Sequence, residues 1–155
     1  MTEKGENLMR LREELPEFPN SAIWLNGAWS KEQLMGEKPV LVYFWSVSCQ
    51  ACKRAPSVIN LWKSKYGDRF NVIAVHMPRF QEDANTNIVQ STAAAIGINH
   101  SIFLDHDLTI SKKYQNQMVP NFYLFDKKGQ LRHRQTGEYG WHMLEKRLVL
   151  LINER

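Results

Sequence analysis

The apolar residues of this chain are concentrated in short runs without polar alternation. The longest run, from Val40 to Trp45, is β-branched and aromatic throughout. Such a pattern is typical of a strand that is buried on both faces, in the middle of a sheet that helices cover. Similar runs predict a second buried strand over 70–75 and a short strand over 101–104.

The segments between these strands carry helix signals. Ser30 can cap one helical turn that ends before Gly36, and Gly67 and Gly97 stand where the next two helices should end. The last helix places its leucines on one face. The pattern predicts helices over 31–35, 49–66, 83–96, 107–114 and 140–152.

Two hairpins complete the predicted order of elements. The apolar segment 121–125 is joined by a short turn to 131–135, which predicts an antiparallel pair near the end of the chain. An Asn26-Gly27 turn predicts a second, smaller hairpin over 22–29.

The length and composition agree with one domain. With 155 residues, 43% of them apolar, the chain is large enough to bury a core. Strands that alternate with helices indicate an α/β domain over residues 1–155, with a central mixed sheet flanked by helices on both faces. Residues 1–20, interrupted by Pro16 and Pro19, are expected to form an N-terminal extension with a short helix and a loop.

The charge and the apolar runs argue against two classes of partner. The 20 Lys and Arg exceed the 16 Asp and Glu by a net charge of +4, without a dense basic cluster, so no nucleic-acid partner is expected. No apolar run approaches the roughly 20 residues that span a bilayer, so no membrane span is expected. The first twelve residues contain no apolar leader core. We therefore expect a cytoplasmic location, or an extracytoplasmic one if a leader has been removed.

The chain has only two cysteines, Cys49 and Cys52. Two cysteines cannot fill a structural zinc site alone, and Lys53 stands where a covalent haem site needs histidine. The two cysteines are three residues apart, and they lie between a predicted strand and a predicted helix. This spacing and this position favour redox chemistry. The positive end of a helix stabilises a thiolate, and Cys49 is the cysteine nearest that end. Cys49 is therefore expected to attack a partner's disulfide, and it should also be the more exposed of the two. Cys52 then attacks the mixed disulfide and releases the reduced partner.

The residues around this pair resemble a known family. The segment Phe44-Trp45-x-x-x-Cys49-x-x-Cys52 is similar to the active site of the thioredoxin fold, and the later order of strands and helices matches that fold. Within this superfamily, residues 18–153 most resemble the TlpA/ResA/DipZ-like thiol-disulfide oxidoreductases. The other matching features are the segment 75–80, the extra helix before Leu104-Asp105, Met118-Val119-Pro120 and Gly137-Glu138-Tyr139-Gly140.

This resemblance implies a role for each matching residue. It makes Cys49 the nucleophile and Cys52 the resolving cysteine, with Trp45 packed beneath them in the substrate-binding region. It makes Pro120 a cis-proline beside the dithiol, and it pairs the backbone of Val119 with an extended client segment. We expect no cofactor and no metal, a monomer, and protein thiols or disulfides as partners together with a reductase or an oxidant.

Three features depart from the family's pattern. Tyr43 stands where thioredoxins carry a buried aspartate, so proton transfer to Cys52 must use water or another group. The Gln-Ala dipeptide between the cysteines differs from that of thioredoxins and of strong oxidants, so the resemblance implies no redox potential. Arg79 stands where related proteins often place a glutamate, and Glu82 and Asp83 lie just beyond it. An arginine there would favour the Cys49 thiolate, whereas a glutamate would raise its pKa and could shuttle protons, and both interpretations stay open.

The predicted function is thiol-disulfide exchange with protein substrates by a thioredoxin-like enzyme. Two alternatives stay open. A thiol peroxidase would oxidise Cys49 to a sulfenic acid that Cys52 resolves, although Ser46 and Ser48 supply only hydroxyls before it. A non-enzymatic domain would use the dithiol as a redox switch for binding one partner. His76, at the end of a buried strand, is a further candidate acid-base group.

Overall fold

A six-stranded mixed sheet forms the centre of the molecule. The structure is a computed structural model, and it describes residues 8–155. In chain order the strands are β1 (Ile23–Leu25), β2 (Val40–Trp45), β3 (Asn71–His76), β4 (Ser101–Leu104), β5 (Asn121–Phe125) and β6 (Leu131–Thr136). In space their order is β1-β4-β3-β2-β5-β6. The strands β2, β3 and β4 run parallel to one another, whereas β1, β5 and β6 are antiparallel to their neighbours.

Within residues 8–155, five α-helices cover the two faces of this sheet. They are α1 (Lys31–Leu34), α2 (Ala55–Tyr66), α3 (Thr86–Ile96), α4 (Thr109–Lys113) and α5 (Trp141–Asn153). Two short 3-10 helices, Gln50–Arg54 and Gln81–Asp83, precede α2 and α3. The buried residues of α2, α3 and α5 belong to one core cluster, and those of α1 and α4 belong to the other. The predicted thioredoxin-like α/β fold, a mixed sheet between two helical layers, is confirmed.

The strand β2 lies in the middle of this arrangement, and all six of its residues are buried. Its side chains alternate between the two cores. Leu41, Tyr43 and Trp45 belong to the cluster on the α2 side, and Val40, Val42 and Phe44 to the other. A strand with two covered faces has no polar side, so its sequence shows an unbroken apolar run.

The sheet brings several loops to one edge. The strands β2 and β3 are parallel, and their last residues, Trp45 and His76, are paired. The segments that follow them therefore leave the sheet side by side, at the carboxyl edge where sites gather in such folds. The strand β5 is antiparallel to β2, with Asn121 paired to Phe44, so the segment before β5 arrives at the same edge.

The small N-terminal hairpin that the Asn26-Gly27 turn predicts is not formed. The strand β1 pairs with β4 instead. The Asn26 amide donates hydrogen bonds to the carbonyls of Ile98 (3.3 Å) and His100 (3.2 Å). These long-range bonds fasten the turn to the segment before β4, so the prediction of a local hairpin is wrong.

The first twenty residues also differ from the expected helix and loop. Residues 8–20 form no helix, and the remainder of that prediction lies outside the described residues. Met9 and Leu15 are buried in the core, and the backbone N–H of Arg12 donates to the carbonyl of Leu131 (2.7 Å). The described part of this segment is therefore packed against β6 and the core.

Four of the five observed helices begin later than predicted, and α1 begins at the predicted residue. The helix α3 begins at Thr86 instead of residue 83, because the Asn85 side chain accepts a hydrogen bond from the Ile88 N–H (3.2 Å) and caps the helix there. In the part of the chain that the structure describes, no helix has the length and apolar character needed to cross a membrane.

Candidate active site

Cys49 and Cys52 form a disulfide just beyond the carboxyl end of β2. Their Cα atoms are 5.4 Å apart, and the Cys52 N–H donates to the Cys49 carbonyl (3.3 Å). Residues 46–48, which we call the cysteine loop, connect β2 to this pair. Cys49 is 3% exposed and Cys52 is 1% exposed. The expected difference in exposure is therefore not found, since both cysteines are buried.

The α-helix begins later than predicted. A 3-10 helix covers Gln50–Arg54, and α2 starts only at Ala55. Pro56 is the second residue of α2; its missing N–H and fixed φ suit the first turn of an α-helix but not its interior. Cys49 is therefore the N-cap of the 3-10 helix and not of α2 itself, although the two helices follow each other directly.

The cysteine loop is held by a buried carboxylate. Asp83 Oδ2 accepts hydrogen bonds from the hydroxyls of Ser48 (2.7 Å) and Ser46 (3.2 Å). The same oxygen accepts from the N–H groups of Arg79 (3.0 Å) and Phe80 (3.2 Å). Burial acts to raise the pKa of Asp83, but these hydrogen bonds outweigh it and hold the pKa below its ordinary value. An ionised Asp83 therefore ties the segment after β2 to the segment after β3.

Arg79 places a positive charge against Ser48, the residue directly before Cys49. Its Nε donates to Ser48 Oγ (3.1 Å), and its Nη2 donates to the Ser48 carbonyl, which belongs to the peptide bond with Cys49. A cation at this place favours a thiolate over a thiol. Glu82 is exposed, and no hydrogen bond among residues 8–155 ties it to the cysteine loop. Of the two candidates, the structure brings Arg79 to the site, and Asp83, the next residue after Glu82, supplies the carboxylate.

His76 accepts a hydrogen bond from the cysteine loop and packs against Trp45. The Val47 N–H donates to His76 Nε2 (3.2 Å), and the His76 ring packs edge-on against Trp45 with 5.0 Å between ring centroids. Burial lowers the pKa of His76 to about 4; the charge on His106 adds to this effect and that on Asp83 opposes it. His76 is therefore neutral near pH 7, where its Nε2 serves as a hydrogen-bond acceptor for the loop.

Trp45 and Tyr43 lie in the core cluster that also contains both cysteines. Trp45 is buried, so it packs beneath the dithiol but offers almost no surface to a substrate. The Tyr43 hydroxyl is hydrogen-bonded to His100 Nε2 (2.9 Å), and burial raises the pKa of Tyr43. Because His100 immediately precedes β4, this pair points to the opposite edge of the sheet. Tyr43 therefore does not replace the missing aspartate as a proton acceptor for Cys52.

The proline loop, residues 115–120, reaches the site from the start of β5. Its Val119–Pro120 peptide bond is cis, as the resemblance implies. Pro120 is buried, and its carbonyl accepts a hydrogen bond from the Gly137 N–H (2.9 Å). Val119 is half-buried, and no partner for its N–H or carbonyl is found among residues 8–155. The loop thus presents free backbone groups at the edge of the sheet that carries the dithiol.

The site therefore combines a dithiol, a charged cluster and a backbone edge. Within residues 8–155, no group of three or more His, Cys, Asp or Glu side chains is arranged to hold a metal ion. The reactive atoms are the two sulfurs, and the chemistry they support is exchange of one disulfide for another.

Comparison with known proteins gives the same chemistry. The model of a thioredoxin-like family matches residues 36–131. The thiol-disulfide oxidoreductase YkuV of Bacillus subtilis is 46% identical over 146 residues, which cover 94% of this chain and 99% of YkuV. Protein DipZ of Mycobacterium tuberculosis is 32% identical over 144 residues, which cover 90% of this chain but only 21% of DipZ.

Solved structures agree with this family. A thioredoxin-like protein in its oxidised form, solved in solution, is 47% identical and superposes with a TM-score of 0.83 over 93% of this chain and 97% of that one. A DsbE-like thiol:disulfide interchange protein of Chlorobium tepidum is 20% identical, with a TM-score of 0.81 over 94% of this chain and 99% of its own, and it shows the shared fold. The chain belongs to the thioredoxin-like family, and it is a thiol-disulfide oxidoreductase with a C-x-x-C pair at Cys49 and Cys52.

Proposed function

We propose that Cys49 is the attacking cysteine and Cys52 the resolving cysteine in exchange with protein disulfides. The Cys49 thiolate attacks one sulfur of a client disulfide and expels the other, which takes a proton from water. Cys52 then loses its proton to solvent and attacks the Cys49 sulfur, which re-forms the Cys49–Cys52 disulfide and releases the second client thiolate. That thiolate also takes a proton from water, so the client gains two electrons and the dithiol loses them, while every proton is exchanged with the solvent.

The charged surroundings of Cys49 are the observation that carries this assignment. The Arg79 guanidinium is bound to Ser48, the residue directly before Cys49. Cys49 and Cys52 lie in the same apolar core cluster, so burial does not distinguish them. Since a nearby cation lowers a thiol's pKa, Cys49 is the cysteine that ionises first.

The client lies as an extended segment along Val119. A free N–H and a free carbonyl on one residue are the groups that pair with a strand-like peptide. Met118, 57% exposed, precedes them in the chain, and Phe80, 56% exposed, projects from the loop after β3. These two apolar side chains support a client that carries apolar residues near its cysteine, because contact would remove their surface from water.

The dithiol is restored by a second thiol-disulfide protein. Exchange moves two electrons between one pair of sulfurs and another, so turnover requires a reductase or an oxidant with its own dithiol or disulfide. The difference between the two reduction potentials decides the direction.

The peroxidase alternative finds less support in this site. A peroxidatic cysteine needs nearby hydroxyl donors that can stabilise the peroxide. The hydroxyls of Ser46 and Ser48, which precede Cys49, are both donated to Asp83.

Cysteine variants test the proposal in an insulin-reduction assay with dithiothreitol. Cys49→Ser removes the attacking sulfur, so turnover should fall to the rate of dithiothreitol alone. Cys52→Ser leaves an attacking sulfur without a resolving one, so mixed disulfides with insulin chains should accumulate and be visible by mass spectrometry. Insulin reduction by Cys49→Ser at the wild-type rate, or trapping by Cys49→Ser in place of Cys52→Ser, would overturn the assignment.

A further inference from the structure

The proline loop lacks regular secondary structure, yet it must keep a defined shape to pair with a client. The N–H of Asn116 donates to the Ser111 carbonyl (2.8 Å) and so joins the start of the loop to α4. At its other end the Pro120 carbonyl is bound by Gly137. Between these two bonds, the backbone of Met118 and Val119 has no backbone partner among residues 8–155, so side chains must hold it.

The side chain of Asn116 makes that contact. Its Nδ2 donates to the Met118 carbonyl (3.0 Å) and lies 3.4 Å from the sulfur of Met77. Its Oδ1 accepts from Asn121 Nδ2 (2.6 Å) and from the Tyr123 hydroxyl (2.8 Å). Asn116 is 5% exposed; its bonds to Asn121 and Tyr123 are buried, where a lost partner is costly, and its bond to the Met118 carbonyl is partly buried.

The network is anchored in the sheet. Asn121 and Tyr123 belong to β5, and Asn121 Oδ1 accepts from the hydroxyl of Thr136 (2.9 Å) at the end of β6. The orientation of the Asn116 amide is therefore determined by two donors on a central strand, and its NH₂ group can only face the proline loop.

One peptide plane connects this amide to the client edge. The Met118 carbonyl and the Val119 N–H belong to the same planar peptide group. Fixing the direction of the carbonyl therefore fixes the direction of the N–H, which points opposite to it. We propose that Asn116 is the positioning residue for client binding: it holds the Met118–Val119 peptide so that the Val119 N–H meets the client's backbone. This proposal rests on the proposed function, since it assumes that clients pair with Val119.

Asn116→Leu is the sharpest test, because leucine is close to asparagine in size and introduces no charge near Cys49. It can neither donate to the Met118 carbonyl nor accept from Asn121 and Tyr123. We expect kcat/KM for insulin to fall about tenfold, mainly through KM. The rate with a small aromatic disulfide, 5,5′-dithiobis(2-nitrobenzoic acid), should stay within about twofold, because that substrate needs only Cys49 and no backbone pairing.

Tyr123→Phe is the matched control. It removes one donor to Asn116 Oδ1 and lowers stability, but it leaves the bond from Asn116 to Met118 in place. Insulin kinetics of this variant should stay within about twofold of wild type. If Asn116→Leu does not fold, Asn116→Ala provides the same comparison, with the fold checked by circular dichroism.

The outcomes separate the two proposals. Loss of insulin reduction in the Asn116 variant, with reduction of the small disulfide retained, supports the positioning role. Equal losses with both substrates, or no loss with insulin, would overturn it. Failure of the wild-type protein to reduce insulin would instead contradict the proposed function.

Discussion

Two loops meet at the carboxyl edge of the sheet, and they are held by different chemistry. The cysteine loop is held by charged groups: Asp83 accepts four hydrogen bonds around it, and Arg79 donates to Ser48. The proline loop is held by neutral groups: the amide of Asn116 donates to Met118 and accepts from β5. Both loops are fastened by buried side chains, but only the first carries net charges.

The difference separates two tasks. A thiolate is stabilised by its electrostatic surroundings, so charged groups close to Cys49 change its reactivity as well as its position. A client backbone is neutral and is recognised by the direction of an N–H group. The uncharged hydrogen bonds of Asn116 can therefore hold the proline loop without changing the electrostatic surroundings of the thiolate. Changes to the first loop should therefore alter pKa and pH dependence, and changes to the second should alter client affinity.

The largest expected effect comes from removing the carboxylate of Asp83, which holds the cysteine loop. Asp83→Ala leaves buried donors without an acceptor, above all the hydroxyl of Ser46. Because each unsatisfied buried group costs roughly 1–3 kcal/mol, we expect the free energy of unfolding to fall by about 3 kcal/mol. Urea denaturation at pH 7 measures this loss.

Two variants serve as controls for this experiment. Asp83→Asn keeps the size and one acceptor oxygen, so it should lose about 1 kcal/mol. Tyr123→Phe removes one neutral hydrogen bond to Asn116, and its free energy of unfolding should also fall by about 1 kcal/mol. An Asp83→Ala variant no less stable than Tyr123→Phe would show that the carboxylate does not hold the cysteine loop.

Lowering the pH should reduce the free energy of unfolding through two buried histidines, with a smaller effect for each. His76 beneath the cysteine loop has its pKa lowered to about 4 by burial and by the charge on His106, against an ordinary value of 6.5. The unfolded chain therefore binds the proton first, and stability falls as pH decreases from about 6.5 toward 4. Between pH 7 and pH 5 this costs about 2 kcal/mol. His100, with its pKa also lowered to about 4, mainly by burial, adds about the same.

Urea denaturation at pH 7, 6 and 5 measures this dependence. Wild type should lose about 4 kcal/mol over the range, and a His100→Gln variant, whatever its absolute stability, should lose about half of that. The uncharged groups bound to Asn116 contribute nothing to this change of the free energy of unfolding with pH. A free energy of unfolding that stays flat between pH 7 and pH 5 would contradict the neutral, buried state of both histidines.

The interior of the sheet could be predicted from the sequence. The strand bounds predicted for β2, β4 and β5 match the structure, since a strand between two covered faces leaves an unbroken apolar run. The C-x-x-C pair and the proline before β5 were equally visible, because their chemistry depends on spacing along the chain. The compartment and the oligomeric state stay predictions.

The remaining features depend on contacts between distant residues. The Asn26-Gly27 turn carries a local hairpin signal, but pairing of β1 with β4 overrides it. Asp83 lies 35 residues beyond Ser48, to which it binds, and its neighbour Glu82 has the same charge, so composition alone could not choose between them. Asn116 stands in a polar segment typical of a solvated loop, and only the fold shows that its side chain is buried.

We propose that the charged groups around the cysteine loop make Cys49 the reactive thiolate. Alkylation of the fully reduced protein with limiting iodoacetamide, followed across pH by mass spectrometry, tests it most directly. We expect Cys49 to be modified before Cys52, with a midpoint below the ordinary thiol value of about 8.5. In Arg79→Gln the midpoint should move up by about one pH unit or less, because the guanidinium is exposed and water screens it. Modification of Cys52 first, or a Cys49 midpoint at or above about 8.5, would contradict the account.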